Sequence, residues 1–414
     1  MHGRIKILIF VSLALLLSSC IFYRSKNAVL WTNRPEFIIY TELFNSLHDN
    51  YRIEIVYKES PKHSLLKKEG HPDIIVGENL LSSPAAKNLK NLNYLLKKKS
   101  INPNIFYSEL LSHSGNSSAR PVLPISFNLP LIMFRKDSKT INTKTVMDIE
   151  SIMESGKAIN GSNEYSSPIG FSPAWKPEFL YIIALLFNSN FHGTENGKLA
   201  WNDSNLNSSL SFIKNWINNV NGGYKNNEYF PEQYLLNPGY KLIENKEILF
   251  AYSNIRKFAA TIPEKNKERL DFRWITRNNR IPVLDDVLLA GIPKRGKNPE
   301  AAAAFLKWFF KLETQELILK TIRTKRIRTF GIGQGLSSLK KVNKTIFPKF
   351  YQFFLGHIPQ GKLLLTQKPL PLNWKEIKEN VLIPWLIEES SDKRTGKNFS
   401  RYIENWSLLE PDIQ

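Results

Sequence analysis

The sequence predicts an α/β chain built on parallel sheet. Strand and helix patterns alternate from the start, the helical stretches each carry one apolar face, and an apolar segment broken by two prolines marks a change of direction. Ala28-Val29-Leu30-Trp31 reads as a short buried strand. Pro35-Glu36 then opens a helix, because proline suits the first helical position and an acid complements the positive dipole end. Phe37, Tyr40, Phe44 and Leu47 recur at helical spacing along it. Arg52 to Tyr57 alternates as a second strand, and Asp73-Ile74-Ile75-Val76, after His71-Pro72, is a third. A strand–helix–strand–helix–strand order predicts parallel pairing through right-handed crossovers.

Val122 to Phe134 is apolar but contains Pro124 and Pro130, so it cannot be one regular helix. It reads as an extended segment that turns, a candidate crossing between two lobes. Phe171 to Trp175 is an aromatic loop entering a helix at Phe179 to Phe187. Trp201-Asn202-Asp203-Ser204 supplies capping residues for a helix bearing Leu206, Leu210, Ile213 and Ile217 on one side. Val287 to Ile292 is another apolar strand, and Asn298-Pro299-Glu300 starts a helix whose one face carries Phe305, Trp308 or Phe309, and Leu312. Trp308, Trp201 and Trp216 are read as packing residues. A helix from Lys375 through Glu388 contains Pro384, which should kink or split it.

The N-terminus predicts export. Arg4 and Lys6 precede an apolar run from Ile7 to Leu17, the layout of a secretory signal and too short for a bilayer span of roughly 20 residues. Leu17-Ser18-Ser19-Cys20 ends it. Cys20 is the only cysteine in 414 residues, so no internal disulfide or cysteine-based metal site is expected. A composition of 42% hydrophobic and 23% charged residues is globular, and removal of residues 1–19 leaves enough chain for two or three domains. The net charge of +20 raises a nucleic-acid reading, but the excess is dispersed and an exported protein meets little nucleic acid. It is read as solvated surface, with attraction to an anionic membrane surface or ligand as the alternative. The densest cluster, Arg323-Thr324-Lys325-Arg326-Ile327-Arg328, follows a helix and suits its C-terminal dipole.

No catalytic constellation is legible. The histidines show no H-E-x-x-H pairing, and neither a G-x-S-x-G elbow nor a Walker loop occurs. Gly331 to Gly335 is not a nucleotide fingerprint, since no strand leads into it. No enzyme activity, cofactor or metal is expected. Two carboxylates that meet only in the fold remain open as a glycan hydrolase.

Leu17 to Cys20 resembles a bacterial lipobox, which implies removal of 1–19 and lipidation of Cys20 on a short tether, 20–27. Three further stretches resemble the maltose-binding type of bacterial extracellular solute-binding proteins, family 1: Pro72-Asp73-Ile74-Ile75-Val76; Leu123-Pro124-Ile125-Ser126-Phe127-Asn128 through Arg135-Lys136-Asp137; and Ala290 to Lys294 with Asn298 to Ala302 and Phe305 to Trp308. The likeness runs from Val29 to about Glu388. It implies a two-lobed periplasmic-binding-protein-like fold (type II), each lobe a mainly parallel sheet flanked by helices. The lobes would be 28–127 with 290–336, and 128–289 with 337–414. It also implies that a small solute, a carbohydrate in the first instance, is held by cleft closure and delivered to an ABC transporter permease. The protein would be a monomer, lipid-anchored to a bacterial membrane at the cell surface or in the periplasm.

Position by position, the resemblance implies cleft contacts at Trp31, Asn33 and Glu36 after the first strand, and Glu78 with Asn79 after the third. It adds Asn128 on the first crossing, Trp175 in the aromatic loop, and Asn254 and Arg256 after Leu249 to Ser253. Sugar faces stack on aromatics while their hydroxyls need paired donors and acceptors. Arg256 is alternatively a bidentate partner for an acidic sugar or phosphate. Pro35 stands where some sugar binders carry an acid, Asn128 stands where an acid is common, and Asp285-Asp286 stands where small residues are. These departures keep open a structural or adhesive lipoprotein whose cleft has lost its ligand.

Overall fold

The computed structural model describes residues 26–139, 141, 145–161, 169–223, 237–392 and 394–409; the signal segment and Cys20 lie outside them. Two sheets divide the chain into two lobes. The first has six strands in the order β13-β4-β12-β3-β1-β2. These are β1 (Lys26–Thr32), β2 (Tyr51–Tyr57), β3 (Ile74–Glu78), β4 (Val122–Phe127), β12 (Leu288–Gly291) and β13 (Leu336–Ser337). The second, in the order β6-β10-β5-β9, comprises β5 (Pro130–Arg135), β6 (Val146–Asp148), β9 (Ala251–Asn254) and β10 (Leu270–Thr276). Two small pairs complete the strands: β7 (His192–Gly193) with β8 (Leu199–Ala200), and β11 (Ile281–Pro282) with β14 (Leu364–Leu365).

The expected parallel core is present where the chain stays within one lobe. β1 pairs parallel with both β2 and β3. β12, however, pairs antiparallel with β3 on one side and β4 on the other. In the second sheet β5 pairs antiparallel with β10 and β9, whereas β10 and β6 are parallel. The ladders are therefore mixed rather than mainly parallel, and the reason is topological. β5 and β12 are the strands by which the chain has just crossed into a lobe. A crossing strand starts at the lobe boundary, where the parallel strands end, and must run against them.

The broken apolar stretch is that first crossing. β4 ends at Phe127 and β5 begins at Pro130, leaving Asn128-Leu129 between them. Pro130 is tolerated because it opens its strand, where a missing N–H disturbs the ladder least. Along β5 the side chains alternate with the two-residue period of a strand. Leu131 and Met133 join a core shared with the first sheet, and Ile132 and Phe134 join a second core inside the other lobe. Residues Leu339, Val342, Phe347 and Phe354 pack into the first core, while Trp374, Trp385 and Leu386 pack into the second.

The helices start and stop as the sequence chemistry directs, with two differences. Phe37–Leu47 buries Phe37, Tyr40 and Phe44, but Leu47 at its end is exposed. The helix begun by Pro299 stops at Phe309, and Leu312 opens a separate one reaching Thr324. Phe305, Trp308 and Phe309 are all buried, so the first helix turns an unusually wide apolar face inward. Near the C-terminus, a π-helical turn at Lys378–Leu382 leads into Ile383–Ser390. Pro384 is accommodated there, since a widened turn relieves the clash its ring makes with the preceding carbonyls. No described helix is long and apolar enough to cross a membrane.

Candidate functional site: the interlobe cleft

The C-terminal ends of β1, β3 and β4 and the starting end of β12 meet at one edge of the first sheet. Open α/β sheets bind ligands beyond such an edge. Each strand delivers a polar residue there. Arg34 and Glu36 follow β1, Glu78 closes β3, Asn128 follows β4, and Asp285-Asp286 precede β12.

These side chains form one linked group. The Arg34 guanidinium pairs with the Glu78 carboxylate. Asp286 Oδ2 accepts from Arg256 Nη2 at 2.7 Å and from Asn128 Nδ2 at 3.1 Å. Arg256 Nε also donates to the Gln334 carbonyl at 2.9 Å, and Asn128 Nδ2 lies 3.3 Å from the same oxygen. The Gln334 side chain donates to Glu36 Oε2 at 3.1 Å. Arg256 belongs to the second lobe, in the helix Ile255–Thr261 that follows β9, whereas Gln334 and Glu36 belong to the first. Arg256 therefore ties the lobes together across the cleft. Nearby, Asp285 Oδ2 accepts from Lys378 Nζ at 2.6 Å and Trp374 Nε1 at 2.7 Å. Asn79 Nδ2 reaches the Pro371 carbonyl at 2.6 Å, a second tie between lobes.

Burial lifts the Asp286 carboxyl to about 6, with the Glu78 and Asp285 charges adding to the rise and Arg256 and Arg34 opposing it. Removing a carboxylate from water costs more than one shared arginine returns.

A cavity of about 460 Å³ adjoins this group. Glu36, Arg256, Arg328, Thr329 and Gln334 form its polar side, and Ile38, Ile39 and Phe330 form an apolar wall. Four buried atoms of the linked group have no hydrogen-bond partner among the described residues: Arg34 Nε, Glu36 Oε1, Asn128 Oδ1 and Asp286 Oδ1. Three of the four are acceptors. A buried polar atom left unpaired costs on the order of 1–3 kcal/mol, and of these four only Glu36 Oε1 belongs to a residue that lines the cavity.

The structure brings together Glu36, Glu78, Asn128 and Arg256 of the residues expected from the sequence. Trp31 is elsewhere: it is buried, covered by Lys58 with Nζ 4.7 Å from its ring, and a Cβ on Gly70 would stand 3.1 Å from it. Its ring packs within the lobe because alternate residues of a strand point to opposite sheet faces rather than off the sheet end. Asn33 Nδ2 ties to the Glu59 carbonyl at 3.4 Å. Asn254 caps the Ile255–Thr261 helix by accepting from Lys257 N at 2.9 Å, so its side chain has a local structural task. Trp175 is half-buried, stands edge-on to Phe171 at 5.9 Å, and touches both cores at the lobe junction. Arg256 already holds Asp286, which leaves it poorly placed as a bidentate anion clamp.

Arg34, Asp286 and Gln334 were not among the expected contacts. A signal existed for Asp286, because the doublet Asp285-Asp286 interrupts an apolar run from Ile281 to Ile292. Gln334 has positive φ (61°) in a glycine turn, where a Cβ on Gly333 would sit 2.5 Å from Leu288. That turn carries main-chain shape for the cleft, not phosphate chemistry.

No protein-family model matches the sequence, and no curated protein matches it. Solved structures do. The sugar-binding protein MalE from the phytopathogen Xanthomonas citri superposes with a TM-score of 0.69 at 13% identity, over 94% of this chain and 97% of that one. The bacterial solute receptor AcbH, described as preferring β-D-galactopyranose, gives 0.68 at 14% identity, over 94% and 98%. A sugar transporter from Rhizobium etli in an open conformation gives 0.65 at 13%, over 92% and 98%. The chain thus has the two-lobed fold of the maltose-binding-type sugar-binding proteins of ABC transporters.

Proposed function

We propose that the chain is a solute receptor that closes its lobes on a neutral carbohydrate and delivers it to an ABC transporter permease, tethered to a bacterial membrane through lipid on Cys20. The observation that carries the reading is Glu36 Oε1, a buried acceptor without a partner among the described residues, on the wall of a cavity lined partly by apolar side chains. Sugar hydroxyls donate to such acceptors while their C–H faces lie on apolar walls. Arg34 and Arg256 are each engaged by a carboxylate, but exposed Arg328 also lines the cavity, so anionic sugars belong in the same ligand screen as neutral ones. The cleft contains no assigned catalytic group, and we ascribe no chemistry to it.

Closure follows from the ties already present. Arg256 with Gln334 and Asn79 with Pro371 join the lobes, and hinge closure around a ligand is an established repertoire of two-lobed binders. The same mutual engagement of charges favours a second reading, a receptor-like lipoprotein whose cleft no longer takes a solute. A thermal-shift screen with neutral mono- and disaccharides, sugar phosphates and oligopeptides separates the two. A ligand at ~100 times its dissociation constant stabilises by about 2.7 kcal/mol. Stabilisation by a neutral sugar supports the receptor; stabilisation by none of the compounds supports the second reading.

A further inference from the structure

We infer, on the receptor reading above, that the solute is a sugar carrying one amino group and one carboxylate, zwitterionic and without net charge. The cavity at the lobe boundary holds one acid and one base that the protein leaves unpaired. Glu36 and Arg328 both line it, and neither belongs to an ion pair among the described residues.

Glu36 is the stronger determinant. It is buried at the start of the helix Phe37–Leu47, whose dipole eases its charge. Its Oε2 accepts from Gln334 Nε2 at 3.1 Å, but buried Oε1 has no donor among the described residues. An ammonium brings three N–H donors and the opposite charge, and a charge-assisted contact is about twice as strong as a neutral one. It therefore answers this oxygen better than a hydroxyl does. Thr329 Oγ1, on a second residue lining the cavity, is also buried and unpartnered among the described residues, and a ring hydroxyl suits it.

The wall that presents these atoms is held in shape. Gly333 N donates to Tyr40 Oη at 3.1 Å and Gly331 N to Tyr351 Oη at 2.9 Å, which fixes the turn between Thr329 and Gln334. Acceptors placed in advance cost less to fill. Phe330, Ile38 and Ile39 offer the C–H face of a sugar ring an apolar surface. Arg328 is exposed, so a carboxylate gains less from it than an ammonium gains from Glu36. Arg256 is not free for that carboxylate, because Asp286 holds it. Arg256 and Ala260 close the cavity from the second-lobe helix Ile255–Thr261, so a ligand seated on Glu36 meets both lobes.

The test is isothermal titration calorimetry near pH 7 on the mature chain from residue 20 carrying Cys20→Ser. Glucose, glucosamine, glucuronic acid and muramic acid carry, in turn, neither group, the amine, the carboxylate and both; leucine is the amino-acid control. Glucosamine should bind about tenfold more tightly than glucose, the worth of one charge-assisted hydrogen bond to a buried group. Glucuronic acid should gain about threefold from the exposed arginine, and muramic acid should bind most tightly. Glu36→Gln should erase the advantage of the amine and keep that of the carboxylate. Arg328→Gln, a change at an exposed position that leaves packing intact, should do the reverse, and circular dichroism checks that both variants fold. Glucose binding as tightly as muramic acid, or a Glu36→Gln loss equal for all the sugars, would overturn the inference and leave a sugar receptor standing. Leucine binding as tightly as muramic acid would also overturn it, since the charges would then be read without the ring. Binding of none of these compounds would sink the receptor reading together with it.

Discussion

Asp286→Asn should change how stability depends on pH, and the sign is fixed by the structure. The carboxyl is lifted from 3.8 to about 6 by burial, despite Arg256. A folded-state value above the unfolded one means the native state binds this proton more tightly. The group's favourable contribution is therefore fully present below about 3.8 and is lost as pH rises through about 6. A rise of roughly two units corresponds to about 3 kcal/mol at ~1.4 kcal/mol per unit. The side chain is 22% exposed, so solvent screening reduces this to about 1–2 kcal/mol. Asparagine abolishes the titration while still offering an acceptor to Arg256. Urea unfolding of both proteins at intervals from pH 4 to pH 7.5 isolates the effect as a difference. Wild type should gain about 1–2 kcal/mol relative to Asp286→Asn on going from pH 7 to pH 4. A difference that stays flat over that range, or grows toward pH 7, would show that Asp286 is not buried beside Glu78 and Asp285 as described.

Asp271 should behave oppositely. Burial alone would raise it, but hydrogen bonds from His357 and Arg273 outweigh that and hold it at about 2, so its contribution is present above about 4 and lost as pH falls toward 2. Asp271→Asn should therefore be destabilised at pH 6 by about 1–2 kcal/mol, with the deficit shrinking toward pH 2 in acid titrations followed by circular dichroism. Arg256→Met strands the Asp286 charge and should cost about 1–3 kcal/mol; combining it with Asp286→Asn should restore part of the loss, and strict additivity in urea would mean the pair is not coupled. Asn79→Ala removes the bond to Pro371 and should weaken sugar binding by about fivefold, at ~1 kcal/mol per hydrogen bond, with a larger radius of gyration by small-angle scattering. Trp175→Ala removes a side chain packed against both cores at the lobe junction and should weaken the ligand-induced thermal shift in a screen with sugars; an unchanged shift would show that this junction does not bear on binding.

The strands and helices of the first lobe were legible because each carries its own period and its own punctuation. Pro35 and Pro299 stand at helix starts, and Pro124 with Pro130 ruled out a helix where the chain crosses between lobes. The direction of β12 was not legible. An apolar run such as Val287 to Ile292 looks the same whichever way it enters a sheet, and only the crossing that precedes it decides. The grouping of side chains at the sheet edge was legible in part for a related reason. Glu36, Glu78, Asn128 and Arg256 come together because they follow or close strands that end at one boundary. Trp31 packs within its lobe instead, because a position near a strand end does not say which sheet face its side chain takes. Gln334 contributes its carbonyl as well as its side chain, and a main-chain acceptor leaves no mark in residue identity.

The polar group at the cleft is best understood through β5 and β12, the crossing strands that run against their neighbours. Because β5 and β12 start at the lobe boundary, the residues just before them, Asn128 and Asp286, are forced to the pivot and into hydrogen-bonding distance, 3.1 Å apart. Neither can move far when the lobes rotate, since each is fixed by a strand beginning two residues later. Arg256 is different: it rides on a helix of the second lobe and reaches the pivot from outside. If the lobes rotate as proposed, opening would lengthen the Arg256 contacts to Asp286 and Gln334 while sparing the Asn128–Asp286 contact. That leaves the Asp286 carboxylate without its cation when the cleft is open, an unfavourable state for a charge in such surroundings. On the proposed reading, the ion pair would bias the empty protein toward closure, and a sugar donating to Glu36 Oε1 would deepen that bias.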